Sequence, residues 1–294
     1  MNGYIYYPGC SAKGNAKHYE ESILPVFKEI GLPLDELKDW NCCGATAYFS
    51  VDDSMAAAIN GRNFSLAEKA DKDIIAPCAG CYLTLRKSNK FLIGGTEKAR
   101  KILTALDKAG CSYGGKVDVK HPLEILSQND MIEKIKAKIT RPLKGLRVAC
   151  YYGCQVVRPY TDFDDPDYPM SLDRLMAAIG AEPVDFSAKT RCCGGSLTGT
   201  IEEVGARLNY IILKEAKKKG ADVISTICPL CLFNLEILQD KMAKKYKDNV
   251  TMPILFFSQL IGLAMGIPKE DLGFSRSIID LKPMWEKIGN GGQK

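Results

Sequence analysis

Short apolar runs alternate along the chain with segments of helical periodicity. "GYIYY" (3–7), "DIIAP" (73–77), "LRVACYY" (146–152) and "ADVISTI" (221–227) are rich in isoleucine, valine and tyrosine and read as short buried strands. "SLDRLMAAIG" (171–180) has Ser171 as a candidate cap and Gly180 as a stop, so it reads as a helix. "EEVGARLNYIILKEAKKKG" (202–220) carries helical apolar spacing and collects lysines in its last turns, where the helix dipole favours them. The segment 252–268, "MPILFFSQLIGLAMGIP", is the most apolar; it is short for a membrane span and interrupted by Ser258 and Gln259, so a buried helix is expected. Strand–helix alternation predicts an α/β fold with mainly parallel sheets and flanking helices.

The pattern occurs twice. Cys10, Cys42, Cys43, Cys78 and Cys81 match Cys154, Cys192, Cys193, Cys228 and Cys231. Cys78 follows Cys43 by 35 residues, and Cys228 follows Cys193 by the same 35. The surroundings repeat too: "YIYYPGC" with "VACYYGC", "DIIAPCAGC" with "DVISTICPLC", and "HPLEILSQ" with "MPILFFSQLIG". This is a tandem duplication of two pseudo-symmetric repeats. Pro142 and Gly145 in "KITRPLKGLRV" place the boundary so that the domains are 1–143 and 144–294. The extra length of the second repeat falls in "PYTDFDDPDYP" (159–169), whose prolines and aspartates mark an exposed loop.

Composition narrows the chemistry. With 294 residues, 46% hydrophobic and 26% charged, the chain is an ordinary globular protein, and a net charge of +5 gives no argument for nucleic acid. "MNGYIYYPGC" reaches a cysteine before any long apolar run, so a secretory leader is not expected and a cytoplasmic location is. In a reducing compartment, twelve cysteines point to metal binding or redox work rather than to disulfides. Cys10, Cys78, Cys154 and Cys228 each follow a predicted strand, where parallel α/β sheets place ligands. Each CxxC opens a helical run, and a helix N-terminus favours thiolate. Five thiolates per repeat exceed the four of one zinc or of an ordinary cubane cluster. A structural zinc site on the CxxC pairs stays open at this point, although it leaves the vicinal cysteines without a role.

The doubled arrangement Cys…Cys-Cys-Gly…Cys-x-x-Cys resembles the CCG domain family. Over essentially the whole chain, including "YYPGCS" and "YYGCQVVRP…DDPDYPMSLDRLMAAIGAEPVDF…RCCGG", the sequence is similar to the B-type subunits of heterodisulfide reductases. That resemblance implies two non-cubane [4Fe–4S] clusters, one held by Cys10, Cys42, Cys43, Cys78 and Cys81, the other by Cys154, Cys192, Cys193, Cys228 and Cys231. It implies an oxidoreductase acting on a disulfide, the coenzyme M–coenzyme B heterodisulfide of methanogenesis or a related one, reduced to two thiols between the clusters with no side chain assigned as catalytic. It also implies two partners within a heterodisulfide reductase complex, an iron–sulfur C-type subunit and a flavin-containing A-type subunit. Gln155 and "GGSLTG" depart from the methanogen pattern, which bears on the identity of the disulfide. The chain has neither a ferredoxin-type cysteine run nor a glycine-rich dinucleotide fingerprint, so its electrons come from elsewhere. The alternative is a CCG-domain electron-transfer protein within another multi-subunit dehydrogenase or reductase.

The remaining candidates carry less. Cys150 aligns with Tyr6 in a strand and reads as a buried residue, and Cys111 lies in a loop without a counterpart. His18 and His121 have no matching partner in the other repeat; structural roles are expected, with His18 near Cys10 a weak proton donor. Lys13, Lys17, Arg158 and Arg191 flank the cysteines, where a solvated basic side chain is the safer expectation.

Overall fold

The computed structural model describes residues 1–45 and 48–289. Two four-stranded sheets, both entirely parallel, form the fold, with helices in every crossover. The first has β1 (Tyr4–Tyr6), β2 (Asp35–Glu36), β3 (Asp73–Ile75) and β4 (Val119–Lys120) in the order β2-β1-β3-β4. The second has β5 (Arg147–Tyr151), β6 (Glu182–Pro183), β7 (Val223–Thr226) and β8 (Ile254–Phe256) in the order β6-β5-β7-β8. The orders are the same, as duplication requires. Ile5, Tyr6, Ile74 and Ile75 in one sheet, and residues 148–151 and 223–226 in the other, are buried, because helices cover both faces of a parallel sheet. The two-residue strands β2 and β6 lie at sheet edges, where Pro183 is tolerated.

The chain divides into two compact units whose limits differ from those of the repeats. One contains Met1–Asn15 and Leu34–Pro122; the other contains Ala16–Pro33 and the chain from Leu123 onward. The helix Lys17–Glu29, which lies within the first repeat in sequence, thus packs in the unit of the second sheet. There Tyr19 stacks on Phe256 with ring centroids 4.0 Å apart, and the hydroxyls of Ser22 and Ser258 are 2.6 Å apart.

Two local expectations are corrected. The apolar segment 252–268 is not one helix: β8 occupies Ile254–Phe256, and the helix is Phe257–Met265, nine residues and wholly buried. Three β-compatible residues find an open sheet edge beside β7, and tertiary pairing overrides their helical pattern. Ser171 is not a cap. It is the first helical residue, and the backbone N–H groups of Met170 and Ser171 are satisfied by the Asp164 carboxylate from the preceding loop. Among the described residues, no helix is long and apolar enough to cross a membrane.

Candidate metal centre

In each sheet the chain runs to opposite sides from one central pair of strands, β1/β3 or β5/β7, so the crevice at their carboxyl ends is a topological switch point. Cys10 follows β1 and Cys78 follows β3; Cys154 follows β5 and Cys228 follows β7. The paired cysteines arrive in the loops after β2 and β6. Cys78 and Cys228 are the N-caps of the helices Ala79–Ile93 and Pro229–Ile237, which places Cys81 and Cys231 in the first helical turn. The helix openings expected at both CxxC motifs are present.

The thiols converge. Cys43 and Cys81 Sγ are 3.1 Å apart, and Cys193 and Cys231 Sγ are 3.5 Å apart, both far longer than a disulfide bond. None of the twelve cysteines, all among the described residues, is in a disulfide. Cys43, Cys78 and Cys81 are buried while Cys10 and Cys42 reach solvent; Cys193, Cys228 and Cys231 are buried while Cys192 is exposed and Cys154 partly so. Each site therefore has a sulfur floor and an open rim. Among the described residues, no three His, Cys, Asp or Glu donors are arranged to hold a metal ion directly.

Thiols this close compete for protons. Hydrogen bonds from the Cys42 and Cys81 thiols pull Cys43 down to about 4 against the cost of burial. Cys81 is pushed far up by its bonds to Cys43 and Cys78, and Cys42 is pushed up by its bond to Cys43. In the second repeat a hydrogen bond from Cys154 pulls Cys192 down to about 6, and one from Cys231 lowers Cys193. Cys154 and Cys231 rise in exchange. In both repeats the thiols shifted down belong to the vicinal pair, Cys43 in the first and Cys192 and Cys193 in the second.

The backbone keeps side chains away from the sulfurs. Gly9 and Gly153 occupy equivalent positions with φ of +66° each, and a Cβ there would lie 3.0 Å from Cys81 Sγ or 3.1 Å from Cys231 Sγ. Gly44 N–H points at Cys42 Sγ at 3.4 Å and Gly194 N–H at Cys192 Sγ at 3.3 Å. A close pair of sulfurs, a backbone N–H donor aimed at sulfur, a helix N-terminus at the CxxC and a glycine where a side chain would intrude recur in both repeats, a setting compatible with iron–sulfur chemistry.

Several supporting residues were not anticipated. Tyr7 donates its hydroxyl to the Asn41 carbonyl at 2.8 Å, and Tyr151 donates to the Arg191 carbonyl at 2.6 Å. Both tyrosines are fully buried and tie a strand end to the residue just before the paired cysteines. The aligned "YYPGC" and "YYGC" were the available signal. Asn60 Nδ2 donates to the Cys43 carbonyl, and Asn234 Nδ2 to that of Cys193. Lys189, three residues before Cys192, is buried and paired with buried Asp173 at 2.7 Å.

The secondary candidates separate cleanly. Arg158 donates to the Thr190 carbonyl at 2.6 Å and Lys13 pairs with Glu36 at 2.6 Å, so both brace loops near the cysteines. His121 Nε2 is 2.9 Å from the carbonyl of Pro77, bracing the approach to Cys78. His18 is buried against Phe256, and burial lowers it to about 4, so near pH 7 it is not held as the imidazolium that a proton donor would need. Cys150 is buried in β5, and burial raises its pKa well above that of a reactive thiol. Cys111 is half-buried in its loop.

Comparison with known proteins agrees with this duplication. The family model for the CCG cysteine-rich domain matches twice, over residues 4–86 and 148–236. The chain is 34% identical, over 94% of its own length and 97% of the relative's, to the 8-methylmenaquinol:fumarate reductase membrane anchor subunit of Wolinella succinogenes. It is 30% identical, over 92% of both chains, to the B-type subunit of the ferredoxin/F(420)H(2)-dependent CoB-CoM heterodisulfide reductase of Methanosarcina acetivorans. A solved structure of a hypothetical protein from Helicobacter pylori shares the fold with a TM-score of 0.76 at 17% identity, covering 95% of this chain and 52% of that one.

Proposed function

The chain belongs to the CCG cysteine-rich domain family, and from that premise we propose that it is the iron–sulfur subunit of a multi-subunit oxidoreductase of the heterodisulfide reductase kind. Cys10, Cys42, Cys43, Cys78 and Cys81 would hold one non-cubane [4Fe–4S] cluster and Cys154, Cys192, Cys193, Cys228 and Cys231 the other, so that repeats 1–143 and 144–294 each act as one cluster-binding domain. The observation that carries this reading is the same meeting of sulfurs in both repeats, Cys43 with Cys81 and Cys193 with Cys231, each against a glycine whose Cβ would lie 3.0 or 3.1 Å from the CxxC sulfur.

The clusters would supply one-electron storage and a Lewis-acidic iron for sulfur. The protein's own part is positional. Buried Cys43, Cys81, Cys193 and Cys231 form the floor; Cys10, Cys42 and Cys192 lie at the solvent-facing rim, where a small-molecule disulfide has access. Tyr7 and Tyr151 hold the loops that carry the paired cysteines. The reaction proposed is reduction of a disulfide by two electrons and two protons to two thiols, with electrons delivered by an iron–sulfur C-type subunit from a flavin-containing A-type subunit in the cytoplasm. No nucleic acid takes part.

The relative named as a fumarate reductase membrane anchor subunit favours a second reading, an electron relay between other redox partners. One experiment separates the two. The complex is purified without oxygen, its iron and sulfide are counted, and the reduced form is mixed with candidate disulfides. About eight irons and eight sulfides per chain, with two thiols released per disulfide, support the first reading. Clusters that are reoxidised by a quinone but release no thiol support the relay, and about one zinc in place of iron removes both.

A further inference from the structure

The two sites share their cysteines but not their amide donors. Three residues after the last cysteine of each CxxC, the first repeat has Thr84 and the second has Asn234, both buried. Asn234 Nδ2 is 2.9 Å from the Gly195 carbonyl, 3.3 Å from the Cys193 carbonyl and 3.4 Å from Cys193 Sγ. All three neighbours are acceptors, so the amide nitrogen, not its oxygen, must face them. One N–H serves Gly195; the other is shared between the carbonyl and the sulfur of Cys193. In the first repeat the Cys43 carbonyl is held instead by Asn60, from the helix Asp53–Lys69, at 3.0 Å. The other N–H of Asn60 goes to Ser88 Oγ at 2.9 Å. The Tyr7 hydroxyl donates to the Asn41 carbonyl at 2.8 Å and is close enough to Cys43 to help hold its pKa down, so a hydroxyl rather than an amide flanks that sulfur. The backbone donors to sulfur, Gly44 and Gly194, are matched. The side-chain amide is the difference.

We propose that Asn234 is a positioning residue whose N–H bond to Cys193 makes the second cluster easier to reduce than the first. The inference rests on the cluster reading above. A hydrogen bond to a ligand sulfur withdraws electron density from the cluster and stabilises its reduced, more negative state, which raises its potential. Reduction strengthens Cys193 as an acceptor and draws the shared N–H toward sulfur. The second repeat then takes the first electron, and the first repeat completes the pair.

The test is an anaerobic redox titration of the purified complex followed by paramagnetic resonance, on wild type, Asn234→Thr and Thr84→Asn. Asn234→Thr gives the second site the first repeat's residue. It is expected to make one of two one-electron waves about tenfold less favourable, a downward shift of about 59 mV, and to leave the other in place. Thr84→Asn is expected to raise the other wave. Iron content separates tuning from structure. Waves that stay where they are in an iron-replete Asn234→Thr protein overturn the proposal, as does an equal shift of both. If Asn234→Thr loses iron, Thr84→Asn decides: a rise of the lower wave supports the proposal and no rise overturns it. Wild type without two clusters would instead refute the cluster reading, and the tuning with it.

Discussion

The loop that leads into the paired cysteines is anchored in both repeats, and the anchors are of different kinds. In the first repeat Arg62 and Asn63, on the helix that follows the pair, reach back. Arg62 bonds Asp39, while Asn63 brackets the Asn41 backbone, accepting from its N–H and donating to its carbonyl, both at 3.0 Å. The charged part of this clamp is exposed, with the Asp39 side chain 78% accessible. In the second repeat the equivalent of Asp39 is Lys189, and its partner lies on the helix Ser171–Ala178, which precedes the pair. The Lys189 ammonium lies against Asp173, the Pro169 carbonyl and the faces of Tyr168 and Tyr152, and the charged pair itself is buried away from water's screening. Its backbone carbonyl accepts from Tyr152 and Gly153 N–H, next to Cys154. One cysteine set can thus be held by a solvated clamp or by a buried ion pair. The geometry required by the site is preserved, while the means of holding it has diverged.

The largest expected effect tests what the repeats share. Gly9→Ala and Gly153→Ala each force a left-handed conformation that costs about 1–2 kcal/mol and push a methyl group to within contact of Cys81 or Cys231 Sγ. Each variant is expected to lose the cluster of its own repeat, about half of the iron, and keep the other. Iron analysis with paramagnetic resonance checks this. Loss from only one of the two variants would mean that the cradles are not equivalent.

The next test addresses what they do not share. Lys189→Met leaves the Asp173 carboxylate buried without its cation, a change worth about 3–5 kcal/mol. Asp39→Ala removes an exposed pair, where about 0–1 kcal/mol is the usual range. Urea midpoints of the two variants should differ accordingly, and similar losses would break the contrast between the clamps. A smaller and symmetric effect is expected from Tyr7→Phe and Tyr151→Phe. Each deprives a carbonyl before the paired cysteines of its donor, at about 1–3 kcal/mol.

The strands and the helices behind each CxxC were legible because their signals are local: Val, Ile and Tyr runs ending at a cysteine, then apolar positions at helical spacing. The ten cysteines stood out by their doubled spacing. The clamps were not legible, since Tyr7 and Tyr151 act on backbone carbonyls 34 and 40 residues away, which have no side-chain signature. Lys189 looks like a surface residue in any local window, because lysine is rarely buried unless paired. Its pairing depends on Asp173 from another element. The placement of the helix Lys17–Glu29 with the second sheet is likewise tertiary: Tyr19 donates to the Ile227 carbonyl, 208 residues away and next to Cys228. The helix shows its apolar face in sequence but not what that face will meet.

The smallest contrast is one of pH, and it lies in the unit built on the second sheet. Burial raises Glu236 to about 7, against a partial offset from the Ser277 hydroxyl and the backbone N–H groups of Ile278 and Ile279. Burial lowers His18 to about 4, with Glu21 opposing and Arg276 adding to the shift. The folded state holds the Glu236 proton more tightly than the unfolded chain does. That contribution is complete below about 4.5 and is lost as pH rises through about 7. His18 binds its proton less tightly when folded, so its contribution is complete above about 6.5 and is lost as pH falls toward about 4. Between about 4.5 and 6.5 the two slopes, each up to roughly 1.4 kcal/mol per pH unit, have opposite signs. These two contributions therefore nearly cancel across this window, and removing either group is expected to change the pH slope of the urea midpoint relative to wild type. Glu236→Gln exposes the histidine term and should lose stability on acidification from pH 6.5. His18→Leu exposes the carboxyl term and should lose stability as pH rises from 4.5 to 7. A wild-type slope as steep as that of either variant would show that the two buried groups do not offset each other.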